Sequence, residues 1–285
     1  MKLSTETYVL RERFDDKTAV KMIKDAGFDC FDYSMYWVRN HARDMLGDNY
    51  IEKAKDLRKY ADSLGICCNQ THAPFDFTGK DTFEESNVNF LRLVRSLEVS
   101  AVLGAKTSVV HAVKGGALPE NADFFEYNTK FYKSLLPHCE KFGICVSVEN
   151  LFYFNGTVPQ PVLSDPKEHI EFVKSLGSDY FNICLDIGHT ALLGYKPEDA
   201  ISAMDKTLLK SLHIHDNDYR GDRHMLPYTG DFNWDSICSA LKNLGYSGEL
   251  TFEIFGFLSK LPKDTLGKAL EFACKIGKSI ITKID

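Results

Sequence analysis

The residues of this sequence that can do chemistry fall in short motifs, each closing or following an apolar run. They are Thr71-His72-Ala73-Pro74, Val110-His111-Ala112, Glu149-Asn150, Asp186-Ile187-Gly188-His189, His215-Asp216-Asn217-Asp218, Asp222-Arg223-His224 and Glu253. Nine of these side chains are selected as candidates: His72, His111, Glu149, Asp186, His189, His215, Asp222, His224 and Glu253. Carboxylates mixed with imidazoles suit Mn, Zn, Fe or Co better than Ca or Mg. One His or Glu alone is as readily a hydrogen-bonded core group as a ligand. The set is harder to dismiss, because buried carboxylates are unfavourable unless paired or ligated. The remaining histidines, His41, His138, His169 and His213, read as structural. His213 is expected one layer below His215, as core or as support.

The elements that position these motifs alternate along the chain. Apolar runs at 3–9, 28–35, 65–72, 107–113, 144–151, 180–187, 211–217 and 249–255 are separated by longer amphipathic stretches such as YIEKAKDLRKYADSLG. Three stretches end on Gly27, Gly65 or Gly143, a common helix stop. Strand and helix repeated in this way predict parallel strands with helical crossovers. Eight units over 285 residues fit a single (β/α)8 TIM barrel spanning 1–285, a parallel eight-stranded barrel ringed by helices. A doubly wound sheet is the alternative, but it calls for a Gly-rich phosphate turn after an early strand, and none is present.

Strand parity sharpens this expectation. In ICVSVEN, Cys145, Ser147 and Glu149 share one face and Ile144, Val146 and Val148 the other. The same division recurs at Asn182, Cys184 and Asp186, at Ser211, His213 and His215, and at Thr251 and Glu253. The aliphatic face should meet the helices. The inner face is then small and polar, whereas barrel interiors usually carry bulky branched residues. Metal and water are the expected means of satisfying it.

Composition bounds the partners. With 44% hydrophobic and 26% charged residues, the chain reads as an ordinary soluble globular protein. Lys plus Arg number 34 against 40 Asp plus Glu, and a net charge of −6 disfavours a protein held on nucleic acid by a broad basic surface. No run approaches the roughly 18 apolar residues of a membrane span, and the first residues lack an apolar signal core. Eight cysteines without a CxxC then imply reduced thiols and a cytoplasmic location.

The motifs VSVEN (146–150), CLDIGH (184–189), LHIHDND with DRH (212–224) and LTFEIF (250–255) resemble the xylose isomerase-like barrel superfamily over nearly the whole chain. That group joins sugar isomerases and epimerases with endonuclease IV. In the ketose 3-epimerase branch, the resemblance implies one divalent metal, Mn, Zn or Co, on Glu149, Asp186, His215 and Glu253. In the endonuclease IV branch, the positions matching His72, His111, His189, Asp222 and His224 join them to hold up to three zinc ions. The resemblance also implies possible pairing into homo-oligomers.

Isomerising or epimerising a ketose removes a proton beside a carbonyl and returns it elsewhere or on the other face. A metal-stabilised enediolate with Glu149 and Glu253 as acid and base accounts for the residue types. His111 and His189 would hold substrate oxygens, with His72 joining them or binding a second metal. Asp222 and His224 would sit in a loop over the mouth. Trp37 suits stacking on a sugar ring, although with Arg39 and Arg43 its loop could also approach a nucleic-acid backbone. The expected substrate is a small carbohydrate, and the lack of an Arg cluster or phosphate loop leans toward an unphosphorylated one. Zinc-dependent cleavage of abasic DNA is the alternative activity, and a sugar-binding barrel without turnover is the third reading.

Overall fold

The expected runs form strands in order. The structure, a computed structural model, describes residues 1–36 and 46–285. Its strands are β1 (Leu3–Glu6), β2 (Cys30–Ser34), β3 (Cys67–His72), β4 (Thr107–Val110), β5 (Cys145–Glu149), β6 (Leu151–Asn155), β7 (Val158–Val162), β8 (Phe181–Asp186), β9 (Leu209–His213) and β10 (Leu250–Phe252). Eight of them make one parallel sheet in the order β10-β1-β2-β3-β4-β5-β8-β9. Across the remaining gap, Ile214 N–H donates to the Thr251 carbonyl at 2.9 Å and Glu253 N–H to the Ile214 carbonyl at 3.1 Å. The result is a nearly closed TIM barrel.

Helices pack around it, among them Asp16–Asp25, Tyr50–Leu64, Val88–Leu103, Phe124–Phe142, Pro166–Ser175, Trp234–Leu244 and Leu266–Ile284. Gly65 and Gly143 end their helices at φ +64° and +67°, where a side chain would be strained. The aliphatic strand face is buried against the helices, with Val146, Val148, Ile183, Leu212 and Ile254 fully inaccessible. Among the described residues, no helix is long and apolar enough to cross a membrane.

The lower barrel interior satisfies itself. Ser4 Oγ donates to Asn69 at 2.6 Å, Asn69 Nδ2 to Thr251 at 3.1 Å, and the Thr107 and Ser147 hydroxyls meet at 2.7 Å. Short hydroxyls and amides on neighbouring strands therefore bond one another, so metal is not needed at this level. Two irregularities break strict alternation. The β2–β3 register passes from Phe31↔Cys68 to Asp32↔Gln70, leaving Asn69 as an extra residue. Between β8 and β9 the register passes from Ile183↔Leu209 to Cys184↔Ser211, leaving Lys210 extra.

One element lies outside the expected set. β6 and β7 pair antiparallel as a hairpin after β5, with Asn155 facing Val158 around Gly156 at φ +63°. An Asn-Gly pair between alternating residues is a hairpin signal.

Candidate metal centre and active site

The C-terminal ends of the strands gather the selected side chains. His72, Glu149 and Asp186 are the last residues of β3, β5 and β8, and Glu253 follows β10 directly. His111, His189 and His215 lie just past β4, β8 and β9, with His189 in a short helix, Ile187–Leu192. The side chain of Asp186 accepts from His189 N–H at 2.8 Å and so starts that helix. All nine selected residues come together at this mouth.

At the centre, Glu149, Asp186, His213 and Glu253 are all buried, and each offers one ligand atom within 4.8 Å of the others. His213 Nδ1 stands 2.9 Å from Glu149 Oε1, 3.5 Å from Glu253 Oε2 and 3.9 Å from Asp186 Oδ2. The sequence expectation gave this place to His215 and a supporting place to His213. In the structure His213 stands among the three carboxylates and His215 beside Asp186 and His224, a difference of strand height. Parity puts both rings on the inner face, but the register pairs Asp186 with His213, leaving His215 above the end of β9. His215 Nε2 instead meets the two Asp186 oxygens at 3.1 and 3.2 Å, and its ring stacks on His224 with centroids 3.9 Å apart. Gly188 makes room for it, since a Cβ there would fall 1.9 Å from His215 Cε1.

Two groups flank the centre. His111 Nε2 is 2.8 Å and His72 Nε2 3.4 Å from Glu149 Oε2. On the other side, Asp222 stands 3.0 Å from His224 Nε2 and 3.6 Å from His189 Nε2. Trp37 lies outside the described residues. Of the other histidines read as structural, His169 is buried with Nε2 3.0 Å from the Val148 carbonyl, His138 lies 4.0 Å from Glu85, and His41 lies outside the described residues.

Burial opposes the charge on Glu149, but His213 and His111 outweigh it and hold its carboxyl well below the usual range. Burial acts the other way on His111, pulling its pKa down to about 3 despite Glu149, so Nε2 donates as a neutral imidazole. His189 is pushed up to about 10, since Asp186 and Asp222 overcome its burial. Glu253 is raised well above the ordinary carboxylate value by burial, which Glu6 and Glu149 reinforce against His213.

This donor set fits a divalent cation. Three carboxylates and one imidazole meet in a largely buried group at the cavity floor, an arrangement unfavourable for the bare charges and suited to Mn, Zn, Fe or Co. Behind the ring, His213 Nε2 has no hydrogen-bond partner and faces Asp32 Oδ2 at 3.7 Å. Gln70 Nε2 holds that carboxylate at 2.8 Å. A carboxylate behind a ligating imidazole is the arrangement that orients such a ring toward a metal.

Sequence reasoning missed three contributors. Asp32 of β2 and Glu6, the last residue of β1, lie under the centre, Asp32 Oδ2 3.7 Å from His213 Nε2 and Glu6 within the field of both. Their signal was present as charged residues inside apolar runs. Lys114, three residues past His111, lines the mouth cavity of about 460 Å³ with Phe152 of the hairpin. The cavity also holds His72, Glu149, His189 and Glu253, and its size suits a small molecule.

The sequence profile of the xylose isomerase-like TIM barrel matches residues 20–276. The chain belongs to the xylose isomerase-like TIM barrel family. A D-psicose 3-epimerase of Enterocloster bolteae is 24% identical over 262 residues, 87% of this chain and 80% of that protein. An uncharacterized protein of Methanocaldococcus jannaschii is 26% identical over 191 residues, 64% of this chain and 62% of its own length. The alignments to the first three curated relatives span 62%, 54% and 61% of their lengths. Among solved structures, a D-tagatose 3-epimerase-like protein superposes with a TM-score of 0.75 at 20% identity, covering 100% of this chain and 98% of that one. D-psicose 3-epimerase crystallised with D-fructose gives a TM-score of 0.75 at 17% identity, covering 99% of both chains. The structural neighbours of this family member thus include sugar epimerases.

Proposed function

We propose that this chain is a divalent-metal-dependent isomerase or epimerase of a small carbohydrate, a sugar, sugar acid or polyol, that works by proton transfer beside a carbonyl. The observation that carries the reading is the buried convergence of Glu149, Asp186, His213 and Glu253 at the floor of a sugar-sized cavity. These four residues would hold the metal, His213 taking the place that resemblance gave to His215. When bound, the metal supplies Lewis-acid stabilisation of the negative charge that develops on substrate oxygens. A zinc-bound solved structure, that of IOLI protein, superposes with a TM-score of 0.72 and lends weight to metal use.

Glu149 and Glu253 come from strands on different sides of the mouth and both line the cavity. Glu149 is held by His111 and His213, so its carboxylate is fixed in place as it exchanges a proton. Glu253 Oε2 is approached by His213 Nδ1 and His224 Nδ1 only at 3.5 Å, so its carboxyl is held less closely than that of Glu149 and can exchange a proton with substrate. His189, anchored through Nδ1 on the Asn150 carbonyl at 2.9 Å, presents Nε2 toward Asp222 and the cavity, where it can donate to a substrate oxygen.

The test is deuterium exchange. EDTA-treated protein reloaded with Mn, Co or Zn is incubated in D2O with D-fructose, D-psicose, D-tagatose and their acid and phosphate counterparts, and exchange beside the carbonyl is read by NMR. Glu149→Gln and Glu253→Gln should each slow exchange by about 10²- to 10⁴-fold. Unchanged exchange in both variants overturns the two-glutamate mechanism.

A second reading, phosphodiester hydrolysis, draws on the three adjoining groups around Glu149, Asp186 and Asp222. Such an array suits up to three ions. Incision of duplex DNA at an abasic site, with no exchange into any ketose, would favour it. The acidic net charge argues against that substrate.

A further inference from the structure

We propose that Lys114 binds an anionic group, a carboxylate or a phosphate, at one end of the molecule the mouth cavity takes, so that the substrate is a sugar acid or sugar phosphate. The proposal rests on the reading above for the reaction and on separate residues for the substrate class.

Lys114 is the one lysine or arginine among the described residues that line the cavity. The same cavity is lined by the carboxylates of Glu149, Asp222, Glu253 and Glu12, and Glu149 and Asp222 act on the Lys114 charge, yet none of the four forms an ion pair with it. They are engaged elsewhere, Glu149 with His111 and His213, Asp222 with His224 and His189, Glu12 with Tyr8. The ammonium instead stands over the Phe152 ring, 5.6 Å from its centroid. Burial lowers its pKa, while Glu149 and Asp222 act in the opposite direction. A half-buried ammonium facing a cavity without a carboxylate partner is a binding group for an anion that arrives with the ligand.

The barrel order gives this anion a place. Lys114 follows β4 and Phe152 follows β5, whereas Tyr8 follows β1 and Phe255 follows β10, on the far side of the ring of strands. A sugar spanning the mouth therefore meets one charged end wall, at Lys114, and one aromatic end wall. The competing role for Lys114 is to balance the field of the metal-binding carboxylates. That role would affect metal affinity and be indifferent to ligand charge.

The experiment uses the Mn-loaded protein and three polyhydroxy compounds that have no aldehyde or ketone and cannot be turned over: D-gluconate, D-glucitol 6-phosphate and D-glucitol. Calorimetric titration should show tighter binding of gluconate or of the phosphate than of glucitol, and the arm that does so names the anion. Lys114→Met and Lys114→Gln should weaken that ligand roughly 10- to 100-fold, and Lys114→Arg should restore most of it. Mn affinity of the variants should match that of the parent protein. Equal affinity for all three polyols, or an anion preference that survives both neutral variants, overturns the proposal. So does a loss of Mn affinity that weakens the three polyols alike. Lys114-dependent anion binding without deuterium exchange into any ketose would sink the isomerase reading alone. Exchange into ketoses with no effect of Lys114 on anion preference would sink this one alone.

Discussion

Replacing Glu6 with Gln isolates the stability consequence of a carboxyl buried under the carboxylate–histidine cluster of the barrel mouth. Glu6 ends β1, and its Oε2 accepts from the Tyr36 hydroxyl while Oε1 is buried without a partner. Burial raises its pKa from an ordinary 4.5 to about 8, Asp32 adding to the effect and Tyr36 and His213 opposing it. A folded pKa above the unfolded one means that the folded chain binds more protons between those values. Its contribution to stability therefore falls as pH rises from about 4.5 toward 8. Between pH 4.5 and 7, the fall amounts to about 3 kcal/mol, at about 1.36 kcal/mol per pH unit once the unfolded carboxyl is ionised. Gln keeps an oxygen for the Tyr36 hydroxyl and carries no charge to desolvate. Glu6→Gln should match the parent protein near pH 4 and exceed its stability by about 3 kcal/mol at pH 7.

The assay is guanidinium unfolding of EDTA-treated protein, followed by circular dichroism across pH 4 to 8, with equal m-values as the condition for comparing midpoints. Mn should narrow the difference, because a cation on Glu149, Asp186 and Glu253 favours the ionised form of Glu6. Parallel pH profiles for the two proteins, or a less stable variant at pH 7, would refute the argument that desolvation dominates at Glu6.

Other predictions bear on the centre itself. His213→Gln should lower Mn or Zn affinity more than 100-fold, and His215→Gln only about 10- to 100-fold, as for a residue that supports a ligand; calorimetry showing the reverse order restores the assignment by resemblance. Metal binding should release protons, because Glu253 and His213 both have raised pKa values and must lose their protons to ligate. Affinity should accordingly climb from pH 5 to 8, and titrations in buffers of different ionisation enthalpy should give different apparent heats. Gly188→Ala should destabilise the fold by about 1–3 kcal/mol and weaken metal binding, because His215 must leave Asp186 to admit the new methyl; an unchanged melting temperature would show that the ring has room to move.

Much of the barrel was legible because its strands are short, apolar and spaced by amphipathic helices, so order and parallel pairing follow from chain direction alone. Face was legible from parity, as Glu149, Asp186 and Glu253 show. Height was not. Whether His213 or His215 reaches the carboxylates depends on the stagger between neighbouring strands, and the extra residue at Lys210 enters that stagger without any local mark in the sequence. Asn69 has the same effect on β3, where Asn69 and Gln70 both bond interior groups although strict alternation would part them. The hairpin did carry a signal in Asn155-Gly156, but Leu151 continued the preceding apolar run and hid the break. Lys114 carried no motif at all. The role proposed for it comes from which carboxylates it fails to meet, and that is a property of the folded mouth.

The polar interior and the metal reading constrain one another. A barrel filled with branched side chains would be more stable, yet this one places Glu6, Asp32, Glu149, Asp186 and Glu253 around a single buried ring, His213. Hydroxyl and amide pairs explain the polar residues of the lower layers, where every charge is avoided. They do not explain the upper layer, where carboxylates from β5, β8 and the end of β10 face one another at ligand spacing, with Asp32 behind His213. A structural role alone would be served by Asn, Gln or Ser, which bond without the desolvation of charge. The proposed cation binding and proton transfer give these carboxylates a function to set against what they subtract from the stability of the fold. The position of the charges, rather than their number, is therefore the argument for a catalytic floor.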